Sequence, residues 1–71
     1  RIAMSRVKFV AKSPDMIDFE EIVFPVTEIR QIKPHEYRGF NFAKLITIYN
    51  AEYTLRMTAE KAIERLNKKL K

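Results

Sequence analysis

Residues 46–57 read ITIYNAEYTLRM. Two runs alternate with period two on either side of Asn50-Ala51, which is the pattern of an antiparallel hairpin. A two-residue loop there pairs Tyr49 with Glu52, Ile48 with Tyr53, Thr47 with Thr54, Ile46 with Leu55 and Leu45 with Arg56. That register gathers Ile46, Ile48, Tyr53, Leu55 and Met57 on one face. Thr47, Tyr49, Glu52 and Thr54 fall on the other, and a one-residue slip would mix the two sets. Asn50 tolerates a positive φ. Ala51 does not, at a cost of about 1 kcal/mol, and a longer loop starting at Tyr49 relieves that strain.

The hairpin leads into TAEKAIERLNKKLK at 58–71. Thr58 is an N-cap candidate, because its hydroxyl can accept from an exposed N–H of the first turn. A helix follows from Ala59 to Leu70. Ala59, Ala62, Ile63, Leu66 and Leu70 lie in one arc of about 100°. Lys61, Arg65, Lys68 and Lys69 lie opposite. Glu60 in the first turn and the lysines in the last complement the helix dipole, and Glu64 precedes Lys68 at i,i+4. The helix stripe is expected to cover the Ile46/Ile48/Tyr53/Leu55 face.

Upstream, RVKFVA at 6–11 places Val7, Phe9 and Ala11 on one face, the pattern of a half-buried strand. Ser13-Pro14-Asp15 ends it as a turn, and residues 15–21 form an acidic connection with room for one helical turn. Ile22 to Phe24 is a short strand that ends, or lies at an edge, at Pro25. Val26 to Ile29 reads as a helical-type turn, and Ile29 to Lys33 as a strand stopping before Pro34. Residues 33–44, KPHEYRGFNFAK, hold the chain's one glycine. They read as a long loop, or as two strand ends meeting at Gly39. The fold class is therefore α+β: a four- to five-stranded, mostly antiparallel sheet with one C-terminal helix on one face, in a single small domain over 1–71. Arg1-Ile2-Ala3 precede Met4 and read as a vector remnant or as part of a longer native chain.

The order of FPVTEIRQIKP at 24–34 and ITIYNAEYTLRMTAEKAIERLNKKL at 46–70 resembles the small flagellar FlbD-type proteins. It is also similar to the first half of LytTR DNA-binding domains and to the last strands and helix of bacterial PH-like domains. The resemblance covers about residues 20–70. It rests on Ile22, Ile29, Ile32, Ile46, Ile48, Tyr53, Leu55, Ile63 and Leu66. These are core positions, so the resemblance implies a strand-hairpin-helix fold and transfers no ligand-binding residue. FlbD-type sequences usually carry glycine in the hairpin turn, where this chain has Asn50-Ala51.

Composition narrows the function classes. With 71 residues and no cysteine, the chain has neither disulfides nor thiolate metal sites. One histidine, His35, argues against zinc, and no cofactor is implied. No apolar run reaches membrane-span length, and the lack of cysteine fits a reducing cytoplasm. The net charge is +5, with residues 1–29 carrying four basic and five acidic side chains and residues 30–71 ten and four. A basic C-terminal part favours an anionic partner. No catalytic constellation is assembled: neither serine has a nucleophile context, and one glycine cannot build a phosphate-cradling loop. A non-enzymatic module is expected, bacterial or phage-encoded. Its first expected role is protein binding or regulation, through the 35–44 loop (His35, Tyr37, Arg38, Phe40, Lys44) and an exposed sheet edge that also suits a homodimer. The alternative is nucleic-acid binding, with Lys61, Arg65, Lys68 and Lys69 on phosphates and the aromatic and basic loop on bases. Anionic lipid is a third option. Within 35–44, Phe40 and Phe42 are two apart and also fit the start of a strand that fills core.

Overall fold

The computed structural model describes residues 5–70. The elements run β1 (Arg6–Lys12), β2 (Glu20–Pro25), a 3₁₀ turn (Val26–Glu28), β3 (Ile29–Tyr37), β4 (Phe40–Thr47), β5 (Glu52–Leu55) and α1 (Ala59–Leu70). The strands form one sheet in the order β2-β1-β5-β4-β3, antiparallel at each pairing. The α+β class holds, with five strands and the helix on one face. No helix among the described residues is long and apolar enough to cross a membrane. The expectation for residues 1–3 lies outside the described residues.

The connection between β2 and β3 dictates the shape. These are the two edge strands, and in a flat sheet four spacings of about 4.8 Å would hold them roughly 19 Å apart. Only the Val26–Glu28 turn joins them, and at about 2 Å per 3₁₀ residue it spans under ~10 Å. The sheet therefore curls. The curl brings Phe24 of β2 to within 5.0 Å of Tyr53 of β5, ring edge to ring face, although β1 lies between the two strands. Phe9 joins them at 6.2 Å from Phe24. Hydrogen bonds from Val26 N–H to Ser5 O and from Ile48 N–H to Glu28 O hold the turn at both sides.

The concave face carries the core. Val7, Phe9 and Ala11 of β1 meet Phe24, Ala43, Leu45 and Leu55, closed by Ala59 and Ala62 of α1. Phe9, Leu45 and Leu55 are the largest side chains fully withdrawn from water. Each such burial contributes roughly 1.5–3 kcal/mol. The two-pair junction Ala11–Leu55 and Lys12–Thr54 joins the N-terminal hairpin to the β3-β4-β5 meander.

The hairpin of residues 46–57 exists in a different register. The pairs are Ala43–Leu55, Lys44–Thr54, Leu45–Tyr53 and Ile46–Glu52. Beyond them, Thr47 N–H donates to Ala51 O at 2.9 Å. The loop is therefore the three residues Ile48-Tyr49-Asn50. Asn50 N–H donates to Thr47 O at 3.0 Å and Asn50 takes φ +65°. This is a type I turn closed by one left-handed residue, so Ala51 escapes strain. The loop is longer than two residues, as the alternative has it, but it starts at Ile48 and not at Tyr49, and this reverses the face of β4: Ala43 and Leu45 point into the core, while Ile48 is 49% exposed in the turn. Ile46 is buried outside the main cluster.

Thr58 caps α1, accepting from Lys61 N–H at 3.3 Å through its hydroxyl. The helix packs across β1, β4 and β3. Ala59, Ala62 and Leu66 face inward, but Ile63 is 41% exposed, so the inward stripe is narrower than the periodicity implies. The small side chains of Ala59 and Ala62 let the helix approach closely, which leaves Ile63 at its rim.

Candidate binding surface

Of the two expectations for residues 33–44, the long loop is not found and the two strand ends meeting at Gly39 are: the segment is a regular hairpin. β3 runs through Pro34 to Tyr37 and β4 starts at Phe40, with Tyr37–Phe40, His35–Phe42 and Pro34–Ala43 paired. Arg38 (φ +51°) and Gly39 (φ +81°) form the two-residue turn, the type whose twist matches paired strands. Pro34 does not stop the strand because β3 is an edge. Counting outward from the hydrogen-bonded Tyr37–Phe40 pair, Pro34 falls on a non-hydrogen-bonded position, where no ladder donor is required.

Alternation from Ala43 and Leu45 fixes which side chains face out. Phe40, Phe42 and Lys44 of β4 stand on the convex face, opposite the helix, beside Lys33, His35 and Tyr37 of β3. Phe40 and Phe42 do start a strand, as one reading of the sequence has it, but they do not fill the core; Phe40 is 67% exposed. Their rings lie 6.5 Å apart. Phe19, in the connection before β2, folds over the same face and stacks on Phe42 at 6.4 Å and 27°. The guanidinium of Arg56 sits 5.8 Å from the Phe19 ring and that of Arg38 5.3 Å from the Tyr37 ring, within cation–π range.

Two adjoining clefts open on this face. One, of about 450 Å³, is lined by Lys12, Phe19, His35, Tyr37, Phe42 and Thr54. The other, of about 230 Å³, shares Lys12 and Thr54 and adds Lys44 and Glu52. Lys44 Nζ pairs with Glu52 Oε1 at 3.4 Å. Of the five residues expected in a loop, His35, Tyr37, Phe40 and Lys44 lie along one face of a strand ribbon and Arg38 sits in its turn; His35 and Tyr37 line the larger cleft and Lys44 the smaller. Sequence reading missed four neighbours: Lys12, Phe19, Phe42 as an outward residue, and Arg56. Phe42 was within reach, since it shares the parity of Phe40 and Lys44 once Arg38-Gly39 is taken as a tight turn. Phe19 and Lys12 arrive through the β1–β5 junction, and Arg56 through the β4–β5 pairing that sets Leu55 opposite Ala43.

No family model, curated protein or solved structure matches this chain.

The expected helix stripe is a separate region. Lys61, Lys68 and Lys69 are exposed on α1, on the concave side of the sheet and away from Lys44. Arg65 is engaged: it donates through Nη1 to Lys8 O at 2.9 Å, and its guanidinium lies 5.5 Å from the Phe9 ring. It clamps the helix to β1. The helix cations and the hairpin cations do not share one face. Both edge strands contain a proline, Pro25 in β2 and Pro34 in β3, which limits strand addition there. Among the described residues, no group of histidine, cysteine and carboxylate side chains has a metal-holding arrangement.

Proposed function

We propose that this protein is a non-enzymatic binding module that holds nucleic acid on the convex face of the β3-β4 hairpin. The observation that carries the proposal is the interleaving of aromatic rings with lysines and arginines around the two clefts (Phe19, Phe42 and Tyr37 beside Lys12, Lys44, Arg38 and Arg56). Rings of this kind stack on bases while the cations meet phosphates. Lysine is depleted at protein–protein interfaces, yet two lysines stand at the centre of this surface. A reducing compartment such as the cytoplasm suits a chain without cysteine.

The test is affinity for oligonucleotides as a function of salt. Contacts from Lys12, Arg38, Lys44 and Arg56 to a single strand imply a slope of about −3 in log K against log salt. Glu52→Gln frees Lys44 from its carboxylate and removes a charge that repels phosphate, so it is expected to tighten binding. Lys68→Gln with Lys69→Gln should weaken it far less than Lys12→Gln with Lys44→Gln. No binding at low salt, or tighter loss from the helix variants, refutes the assignment.

A second reading, docking of another protein in a regulatory role, is favoured by the exposed rings of Phe40 and Tyr49 at opposite ends of β4. Its signature is partner capture that survives salt and is lost with Tyr37→Ala. Self-association through an edge is the least suited form of it, given Pro25 and Pro34.

A further inference from the structure

We infer that the nucleic acid this surface takes is an unpaired strand whose bases lie on the rings of the hairpin, a statement that rests on the nucleic-acid reading above. The rings of Phe40 and Phe42 are 6.5 Å apart. Bases within a duplex strand are stacked about 3.4 Å apart, so two bases lying on these two rings must be separated from each other. A duplex keeps its base faces covered and offers only groove edges and phosphates. Reading groove edges calls for paired donors and acceptors such as Asn, Gln or Arg. The outward side chains of the ribbon over residues 33–44 are Lys33, His35, Tyr37, Phe40, Phe42 and Lys44, four rings and two ammonium groups, with no Asn, Gln or Arg among them. The one long cation at the ribbon tip, Arg38, has its guanidinium over the Tyr37 ring. Lys12 and Lys44 stand at the far end of the same clefts, where a backbone leaving the rings would pass. Charge complementarity and ring spacing therefore both select a flexible polyanion with exposed bases.

The experiment is fluorescence anisotropy with labelled thymidine and uridine homo-oligomers and a mixed-sequence duplex, each of about twelve nucleotides, from about 20 to 200 mM salt. Single strands are expected to bind at least about tenfold tighter than the duplex. Phe40→Leu and Phe42→Leu keep an apolar side chain and remove the ring. Each should lower single-strand affinity by about tenfold or more with the salt slope unchanged, while Lys12→Gln reduces the slope. Thermal melts of the leucine variants verify folding, and Phe40→Leu, at an exposed position, carries the test if Phe42→Leu melts early. Equal or tighter duplex binding, or unchanged affinity in Phe40→Leu, overturns the single-strand inference while leaving the nucleic-acid reading in place. Binding to none of the three probes at low salt overturns that reading itself.

Discussion

Leu45→Ala and Ile48→Ala form a matched pair that tests the register of the β4-β5 hairpin. With a two-residue loop at Asn50-Ala51, Ile48 would face the helix and Leu45 would not. With the three-residue loop, Leu45 is fully buried opposite Tyr53 and Ile48 is half exposed in the turn. Removing a fully buried leucine side chain costs about 2–5 kcal/mol, because the lost transfer energy adds to a cavity the neighbours cannot fill. Leu45 pairs with Tyr53 and belongs to a cluster that includes Ala43, Leu55 and Ala62, small or already committed residues, so a value near 3–4 kcal/mol is expected. A domain of this length is stable by about 4–10 kcal/mol in total. Leu45→Ala should therefore lower Tm by about 15–25 °C and the urea midpoint by about 3 M for a slope near 1 kcal/mol/M. Ile48→Ala loses only partly buried surface and should cost under about 1 kcal/mol. Urea denaturation of both variants, followed by circular dichroism, gives the comparison. An Ile48→Ala cost equal to or above that of Leu45→Ala would sink the three-residue register, and with it the outward placement of Lys44 and Phe42.

Three further outcomes are expected. Thr47→Val removes a hydroxyl that accepts from Tyr49 N–H and Ala51 N–H, both at 3.2 Å; denaturation should register a loss of about 1–3 kcal/mol, and a change below about 0.5 kcal/mol would mean that the hydroxyl does not organise the loop. Arg38→Asn replaces a side chain strained at φ +51° by one that tolerates that region, and should stabilise by about 0.5–1 kcal/mol while weakening oligonucleotide binding; a gain in both properties would show that Arg38 is not kept for binding. Leu66→Asp places a carboxylate against the core cluster and should abolish the cooperative thermal transition, since the penalty approaches the whole stability of the domain; a retained sharp transition would refute the packing of α1 on the sheet.

The apolar positions of the strands and of α1 mostly report burial, with Ile48 and Ile63 as exceptions. They are silent on the convex face, where Phe19, Phe42 and Lys12 assemble, since an outward residue leaves no periodic trace of what lies beside it.

The sequence by itself determined the local elements. Period-two runs, the Thr58 cap of α1 and the Val26–Glu28 turn are short-range effects of backbone sterics and side-chain spacing, and α1 runs from Ala59 to Leu70 as its periodicity dictates. It also held the determinants of both hairpin turns in Gly39 and Asn50, the residues that accept positive φ most cheaply. Only the tertiary structure decided which face of β4 is buried. The alternation within 46–57 favours the two-residue loop, yet the observed register sets Ile46 on the face of Glu52 and Thr54, because the packing of Leu45 and Ala43 with Leu55, Tyr53 and the close-set alanines of α1 overrides that local pattern. That choice turns Phe40, Phe42 and Lys44 outward. The β1–β5 junction then brings them Lys12 and Phe19 from the N-terminal part of the chain, while the β4–β5 register sets Arg56 beside Phe42.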